Sequence, residues 1–274
     1  MGARLGTPDA TAVFADSPVE GMITVTADSV FAPDGSILSP ADSPEDRLAW
    51  ARSHMPVTLD AASSLDLTGV RIGVALVLEP KTAVLALALA DAGAEVFVFG
   101  HAEEVRPAVA DALRQAGLTV FADPDPTREE QLARDFLSCG LHLLLDDGSH
   151  LIRLAHEVEG ALDHLIGAAE ETTSGLRPLR EWQQAGRLRI PVMASNDART
   201  KTLFDNAYGT GQSCLMTILD LLDPGQHGWP LWDKQVVVAG YGDVGRGFAK
   251  LTAALGGRVA VAGWTSVATS SPTR

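Results

Sequence analysis

From Val70 onward, apolar runs of strand length alternate with longer stretches whose apolar residues recur at helical spacing. Val70–Leu78 is β-rich and reads as a buried strand, and the Ala- and Leu-rich segment Pro80–Ala92 reads as a helix stopped by Gly93. Glu95–Phe99 and Leu118–Phe121 predict two more strands, with helices over Glu103–Gln115 and Arg128–Leu137. Leu141–Leu145 predicts another strand, ending in Asp146-Asp147. This rhythm of apolar strands and helices predicts an α/β fold, a doubly wound parallel sheet covered on both faces. Beyond it, helices are expected over Leu151–Ile166 and Leu176–Ala185, and a strand over Arg189–Met193. Lys201–Leu222 is helical in pattern but interrupted at Gly209-Thr210-Gly211. Gln235–Ala239 is a strand followed by a glycine-rich turn, a helix from about Gly245 and a strand at Arg258–Ala262.

The pattern weakens toward the start of the chain. Residues 1–44 scatter Pro, Gly, Ser and Asp and are expected to form a variable, mobile or loosely docked extension. Only Met22–Val30 alternates in the manner of a strand. Ser43-Pro44-Glu45-Asp46 then announces a helix: a capping hydroxyl, a proline at the first helical position and acids in the first turn. That helix should stop near Ser53, before Met55-Pro56.

Composition narrows the function classes. The 274 residues carry 35 acidic and 21 basic side chains, a formal net charge of -14, with no basic patch to meet a nucleic-acid backbone. The longest apolar runs, such as Ala83–Ala90, fall far short of the roughly 20 residues that span a bilayer. The first residues lack the order of a signal peptide. Cys139 and Cys214 are too few for a disulfide framework. A cytoplasmic protein without nucleic-acid or membrane partners is the expectation. His150, His156 and His164 form no recognised ligand spacing with a cysteine, so no metal site is expected.

Four segments carry candidate chemistry. Gly240-Tyr241-Gly242-Asp243-Val244-Gly245 follows an expected strand and opens an expected helix, the context of a dinucleotide fingerprint. Gly240 permits the tight turn, Gly242 lets backbone approach a pyrophosphate, and Gly245 allows close packing of helix on strand. The acid that should follow at the end of the next strand, to hold ribose hydroxyls, is absent: the strand ends Val261-Ala262-Gly263. Lys201 and Asp205 are four apart and share a helical face, either as a proton-transfer pair or as a surface ion pair. Glu170-Glu171-Thr172-Thr173-Ser174-Gly175 offers acceptors and hydroxyls for a polyhydroxylated ligand, or caps the next helix. Asp146-Asp147-Gly148 lies at a strand's carboxyl end, where doubly wound sheets place ligand contacts, though a polar turn would look the same.

Taken in order, these segments resemble the S-adenosylhomocysteine hydrolase (adenosylhomocysteinase) family. The resemblance rests on Asp146-Asp147-Gly148, Glu170 to Gly175, Asn196-Asp197, Lys201, Phe204-Asp205-Asn206-x-Tyr208-Gly209 and Gly240 to Gly247, and it covers about residues 45–262. It implies an NAD-dependent cleavage of a thioether nucleoside. The ribose 3′-hydroxyl is oxidised, C4′ is deprotonated, homocysteine leaves, water adds, and the hydride returns. By resemblance, Asp147, Lys201, Asp205 and Asn206 belong to the acid–base and oxidation machinery, while Glu171 and Asn196 bind substrate. Thr172, Thr173 and Ser174 would contact the nicotinamide half of NAD, and Gly240, Gly242, Asp243, Val244 and Gly245 its pyrophosphate side. The resemblance also implies a homo-oligomer.

The chain departs from the family at the adenosine-binding His-x-Thr-x-Glu, which here reads Val77-Leu78-Glu79-Pro80-Lys81, and at the cysteine after Tyr-Gly, here Thr210. Val77, Glu79 and Lys81 point toward a changed substrate. From Gly263 the family character stops, which suggests a shifted reading frame or premature end. The expected organisation is an extension over 1–44, a substrate domain over 45–222 and an incomplete Rossmann NAD domain over 223–274. Two alternatives stand beside hydrolysis of S-adenosyl-L-homocysteine: a paralogue using the same NAD chemistry on another nucleoside, and an inactive fragment.

Overall fold

A computed structural model describes residues 43–222, 231–232 and 234–263, and four short backbone strands before them. Those four are β1 (Ala10–Phe14), β2 (Gly21–Val25), β3 (Val30–Phe31) and β4 (Ile37–Ser39), an antiparallel sheet in chain order. The strand expected over Met22–Val30 is thus split between β2 and β3. Most of the expected 1–44 extension, and the tail from Trp264, lie outside the described residues. Two compact units emerge, Pro40–Asp197 and the described parts of Met1–Ser39 with Ala198–Arg274. Among the described residues no helix is long and apolar enough to cross a membrane.

The first unit opens with α1 (Pro44–Ser53) and α2 (Pro56–Ser63). Ser43 caps α1 as its sequence announced, its Oγ accepting from the Asp46 N–H at 3.0 Å. Then follow β5 (Arg71–Ala75), α3 (Pro80–Asp91), β6 (Glu95–Gly100), α4 (Pro107–Gln115), β7 (Thr119–Ala122), α5 (Glu129–Leu137), β8 (Leu143–Asp146), α6 (His150–Ala155), β9 (Gly167–Glu170), α7 (Thr173–Gln184) and β10 (Val192–Ala194). The sheet is six-stranded in the order β10-β9-β8-β5-β6-β7, every pair parallel. Counted along the chain this is the 3-2-1-4-5-6 order of a doubly wound fold, whose direction reverses between β5 and β8.

Pleating divides the core between the two faces. Val96 and Val98 join Ile72 and Val74 on one side, against Ala83, Ala86 and Leu89 of α3 and Val109 and Leu113 of α4. Phe97, Phe99 and Leu144 face the other way, against Phe136 and Leu137 of α5, Leu151 and Ile152 of α6 and Leu179 of α7. Gly73 is small because a Cβ there would stand 2.7 Å from Phe136 Cζ. The expected doubly wound sheet with both faces covered is what these residues build.

Three local expectations are corrected. The helix expected over Leu151–Ile166 ends at Ala155; the chain turns through Gly160 (φ 78°) and adds β9. That strand reads Gly-Ala-Ala-Glu and lacks the β-branched residues that mark strands, because it lies between β8 and β10 where small side chains fit. Helix α4 starts at Pro107 rather than Glu103, since proline is tolerated in a first turn and not in a helix interior. In the second unit Gly209-Thr210-Gly211 does not break the helical run but marks where its winding changes. Helix α8 (Arg199–Lys201) runs into a π-helical segment, Thr202–Gly209, and that into α9 (Thr210–Leu222). The second unit continues with β11 (Gln235–Ala239), α10 (Asp243–Ala254) and β12 (Arg258–Ala262), β11 and β12 pairing in parallel. Its glycines serve close contact: a Cβ on Gly211 would stand 2.7 Å from the Phe248 N of α10, and one on Gly247 would overlap the Ala207 carbonyl.

Candidate active site

The carboxyl ends of β8 and β9 hold the first cluster. Asp146 and Glu170 are register partners on the two strands, and both are fully buried. Glu170 Oε1 accepts from the N–H groups of Gly148 (3.0 Å) and Thr172 (2.8 Å) and from Thr172 Oγ1 (2.7 Å). Its Oε2 accepts from Ser149 N–H at 2.8 Å. One carboxylate thereby binds both loops that carry the motif residues. Gly175 is required by the same arrangement, since a Cβ there would overlap Glu170 Oε1. Asp146 Oδ2 accepts from Ile152 N–H (2.7 Å) and Oδ1 from Asp147 N–H (3.0 Å). Burial pushes the Asp146 carboxyl up to about 8; its backbone hydrogen bonds oppose this, and the neighbouring Glu170 charge adds to it. Ser149, buried and left-handed at φ 58°, has an Oγ without a hydrogen-bond partner among the described residues.

These two buried acids hold their neighbours outward. Asp147 is half-buried and lines a cavity of about 510 Å³ with His101, Glu103, Glu104, Pro126, Glu129, Gly148, His150 and Ser174. His101 Nδ1 lies 2.9 Å from Glu129 Oε1, and Glu129 Oε2 accepts from Ala102 N–H at 2.8 Å. Burial works against the Glu129 charge, yet the hydrogen bonds from His101 and Ala102 hold its carboxyl below the usual range. Burial, and then the His101 charge, pull His150 down. No motif in the sequence marks His101 or Glu129, because they reach the cavity from elsewhere in the chain, His101 just after β6 and Glu129 at the start of α5. The rule that ligands gather at carboxyl strand ends would have flagged His101, next after β6.

Thr172 fulfils the capping alternative: its Oγ1 accepts from Gly175 N–H at 3.2 Å and from Gly148 N–H at 3.0 Å. Thr173 Oγ1 accepts from Nδ2 of Asn196, which is buried just after β10. Glu171 is exposed at the end of β9, its N–H bonded to the Asp146 carbonyl.

The second unit carries Lys201, Asp205 and Asn206. Sequence spacing set Lys201 and Asp205 on one α-helical face. The π-helical turn instead brings Asn206, five residues on, under the lysine, whose Nζ donates to Asn206 Oδ1 at 3.0 Å. Asp205 is exposed, and its Oδ1 lies close over the Gly209 backbone.

The glycine turn between β11 and α10 follows the geometry its sequence suggested. Gly240 has φ 96°, and a Cβ on Gly245 would overlap the Gly240 carbonyl. A Cβ on Gly242 would meet nothing within 4 Å, and no side chain caps the α10 N-terminus there. Asp243 Oδ1 accepts from Arg246 at 2.7 Å, and Val244 is partly exposed beside it. The turn is open to an anion, and its residue types fit the pyrophosphate of a dinucleotide. The ribose-binding acid has no counterpart at the end of β12, where Ala262 is followed by Gly263.

Comparison with known proteins agrees with the motif reading. No family model matches the chain. The adenosylhomocysteinase of Thermotoga maritima is 40% identical over 230 residues, covering 79% of this chain and 54% of that protein. The S-inosyl-L-homocysteine hydrolase of Methanocaldococcus jannaschii is 41% identical over 228 residues, covering 79% and 53%. Among solved structures, the L-tryptophan dehydrogenase of Nostoc punctiforme aligns over 67% of this chain and 52% of its own at 14% identity, with a TM-score of 0.35, too low for any argument to rest on it. By sequence, then, the chain belongs to the adenosylhomocysteinase family, and it spans about half the length of the curated members it matches.

Proposed function

We propose that this chain supplies the substrate-binding and proton-transfer groups of an NAD-dependent hydrolase acting on a nucleoside thioether of homocysteine. The observation that carries the reading is the β11–α10 turn, open at Gly242 and uncapped, on a chain whose relatives are named adenosylhomocysteinase and S-inosyl-L-homocysteine hydrolase. Gly240, Gly242 and Gly245 would hold the pyrophosphate of NAD, with the Asp243 and Val244 backbone beside it. When bound, NAD would accept and later return the hydride of the ribose 3′ carbon.

The chain's own residues do the remaining work. Glu171 binds ribose hydroxyls, and Asn196 lines the same site. The Asp147 carboxylate and Lys201 Nζ carry protons to and from the sugar, and Asn206 Oδ1 fixes the direction in which the ammonium points. Asp205, exposed one residue before Asn206, joins the acid–base machinery on the resemblance alone. Thr172 and Thr173 act mainly through the loop: Thr172 holds it to Glu170, and Thr173 orients Asn196. Ser174, which lines the Asp147 cavity, is the hydroxyl of the three that this reading assigns to ligand contact.

The base on the nucleoside is a separate matter. The relatives are named for adenosyl and for inosyl thioethers. Glu79 and Lys81 are engaged with each other at 3.0 Å, which favours a substrate other than the adenosyl thioether. The test is to release and quantify NAD from purified protein, then to follow free thiol from S-adenosyl- and S-inosyl-homocysteine. The reading expects stoichiometric NAD, thiol release, and a loss of about 100-fold or more in Lys201→Ala. Folded protein that neither carries nor binds NAD would overturn it.

A further inference from the structure

The proposed cleavage leaves one proton demand without a group. Asp147 and Lys201 serve the sugar, but the C5′–S bond also breaks. An alkyl thiolate is a poor leaving group unless a proton meets it, and the water that adds afterwards must lose one. Two imidazoles line the Asp147 cavity, those of His101 and His150. Of the two, His101 is the one tied to a carboxylate: its Nδ1 lies 2.9 Å from Glu129 Oε1.

Packing fixes that ring. The buried Phe99 of β6 meets it in a T-shaped contact, centroids 5.1 Å apart, and His150 does the same at 5.4 Å. The backbone just before it is tightly held, since a Cβ on Gly100 would stand 2.9 Å from Val105 Cγ2 and 3.2 Å from Leu78 Cβ. Glu129 is clamped in turn, its Oε2 accepting from Ala102 N–H at 2.8 Å. Burial works against the Glu129 charge, yet the hydrogen bonds from His101 and Ala102 hold its carboxyl below the usual range, so it acts as an acceptor. The hydrogen facing Glu129 therefore stays on Nδ1 whether the ring is neutral or charged. Nε2 has no hydrogen-bond partner among the described residues and is the nitrogen left to give and take a proton. A carboxylate that sets the tautomer and orientation of an imidazole prepares it for proton transfer.

We propose that His101, with Glu129 as its positioning residue, is the proton donor to the sulfur that leaves C5′. The assignment rests on the hydrolase reading above. Sulfur is two bonds from C4′, so a substrate with C4′ at Asp147 carries its sulfur into the same cavity that His101 lines. Once the C4′ proton is removed, the electron pair left on C4′ forms a C4′–C5′ double bond. The C5′–S bond breaks, its pair passes to sulfur, and the Nε2 proton of the imidazolium joins it, giving a thiol and a neutral imidazole. Water then bonds C5′ through its oxygen while Nε2 takes the water proton, which restores the imidazolium. The double-bond pair returns to C4′, where the sugar-side groups return the proton.

The experiment uses the full chain supplied with NAD and whichever homocysteine thioether, adenosyl or inosyl, the parent cleaves faster. Thiol release and exchange of the C4′ hydrogen with deuterium oxide are followed in one sample, by thiol titration and by proton resonance. His101→Ala should lose about 100-fold or more in thiol release while C4′ exchange stays within about threefold of the parent. The ratio of the two rates in one sample does not depend on how much of the variant is folded. If His101→Ala yields no folded protein by circular dichroism, Glu129→Gln makes the same comparison, with an expected loss of about tenfold in release alone. Equal losses in both rates, or no loss in either, would overturn the role of His101 while the hydrolase reading stands. A parent that releases no thiol overturns that reading, and the role of His101 falls with it.

Discussion

Valines in parallel strands meet two fates in this molecule. Val98, in β6 of the six-stranded sheet, is completely buried, with helices against both faces. Val237, in β11 of the two-stranded sheet, is 69% exposed, and Val261 of β12 is also exposed. The local sequences, Glu-Val-Phe-Val-Phe and Gln-Val-Val-Val-Ala, are equally apolar. A parallel strand is stabilised by what covers it on both sides, and that cover comes from distant chain. Burial is therefore a property of the sheet as a whole, and equal hydrophobicity does not mean equal stabilisation.

The largest test of this contrast pits one core residue against one strand residue. Phe136 is fully buried against the inner face of the large sheet. Phe136→Ala should cost about 3–5 kcal/mol, read as a drop in the urea midpoint with little change in slope. Val237→Ser should stay within roughly 0.5 kcal/mol of the parent. A comparable loss from the valine would break the comparison, because the short sheet would then be covered in solution.

A second test uses charge in the large sheet. The Asp146 carboxyl has its ordinary value of 3.8 when unfolded and about 8 when folded. Between those values the native state keeps a proton that the unfolded state has lost. Stability contributed at this site is therefore fully present below about pH 4 and lost as pH rises toward 8, at up to about 1.4 kcal/mol per pH unit. Denaturation at pH 5, 6, 7 and 8 should show that slope, and Asp146→Asn should flatten it. A slope unchanged by the substitution would place the proton elsewhere.

What could be read from sequence follows the same division. Strands β5, β6 and β8 were legible because fully covered strands are continuously apolar, and α1 because its cap, proline and first-turn acids agree. Strand β9 was not, since Gly-Ala-Ala-Glu signals neither period. At the site, the residues Asp146 to Gly148 and Glu170 to Gly175 were legible as segments. Their division of labour was not, because nothing local tells which of two adjacent acids is buried. In each pair the first acid is interior and structural while the second faces outward, and strand register alone decides that. The Lys201–Asn206 contact was hidden for a different reason: an α-helical spacing rule cannot anticipate a π-helical turn.

The smallest expected effect is the most discriminating for function. Gly242 is the N-cap of α10, its φ of -74° is open to any residue, and a Cβ there meets nothing. Serine is a slightly better cap than glycine, so Gly242→Ser should change stability by only a few tenths of a kcal/mol, in the stabilising direction. The same side chain would fill the approach that a pyrophosphate needs. NAD affinity should therefore fall by at least tenfold while the melting temperature holds or rises slightly. Gly245→Ala makes the contrast, because its Cβ would overlap the Gly240 carbonyl and damage the turn itself. If the serine variant keeps NAD affinity, backbone approach at Gly242 is not what admits the cofactor; if it melts early, the turn is less open than its geometry indicates.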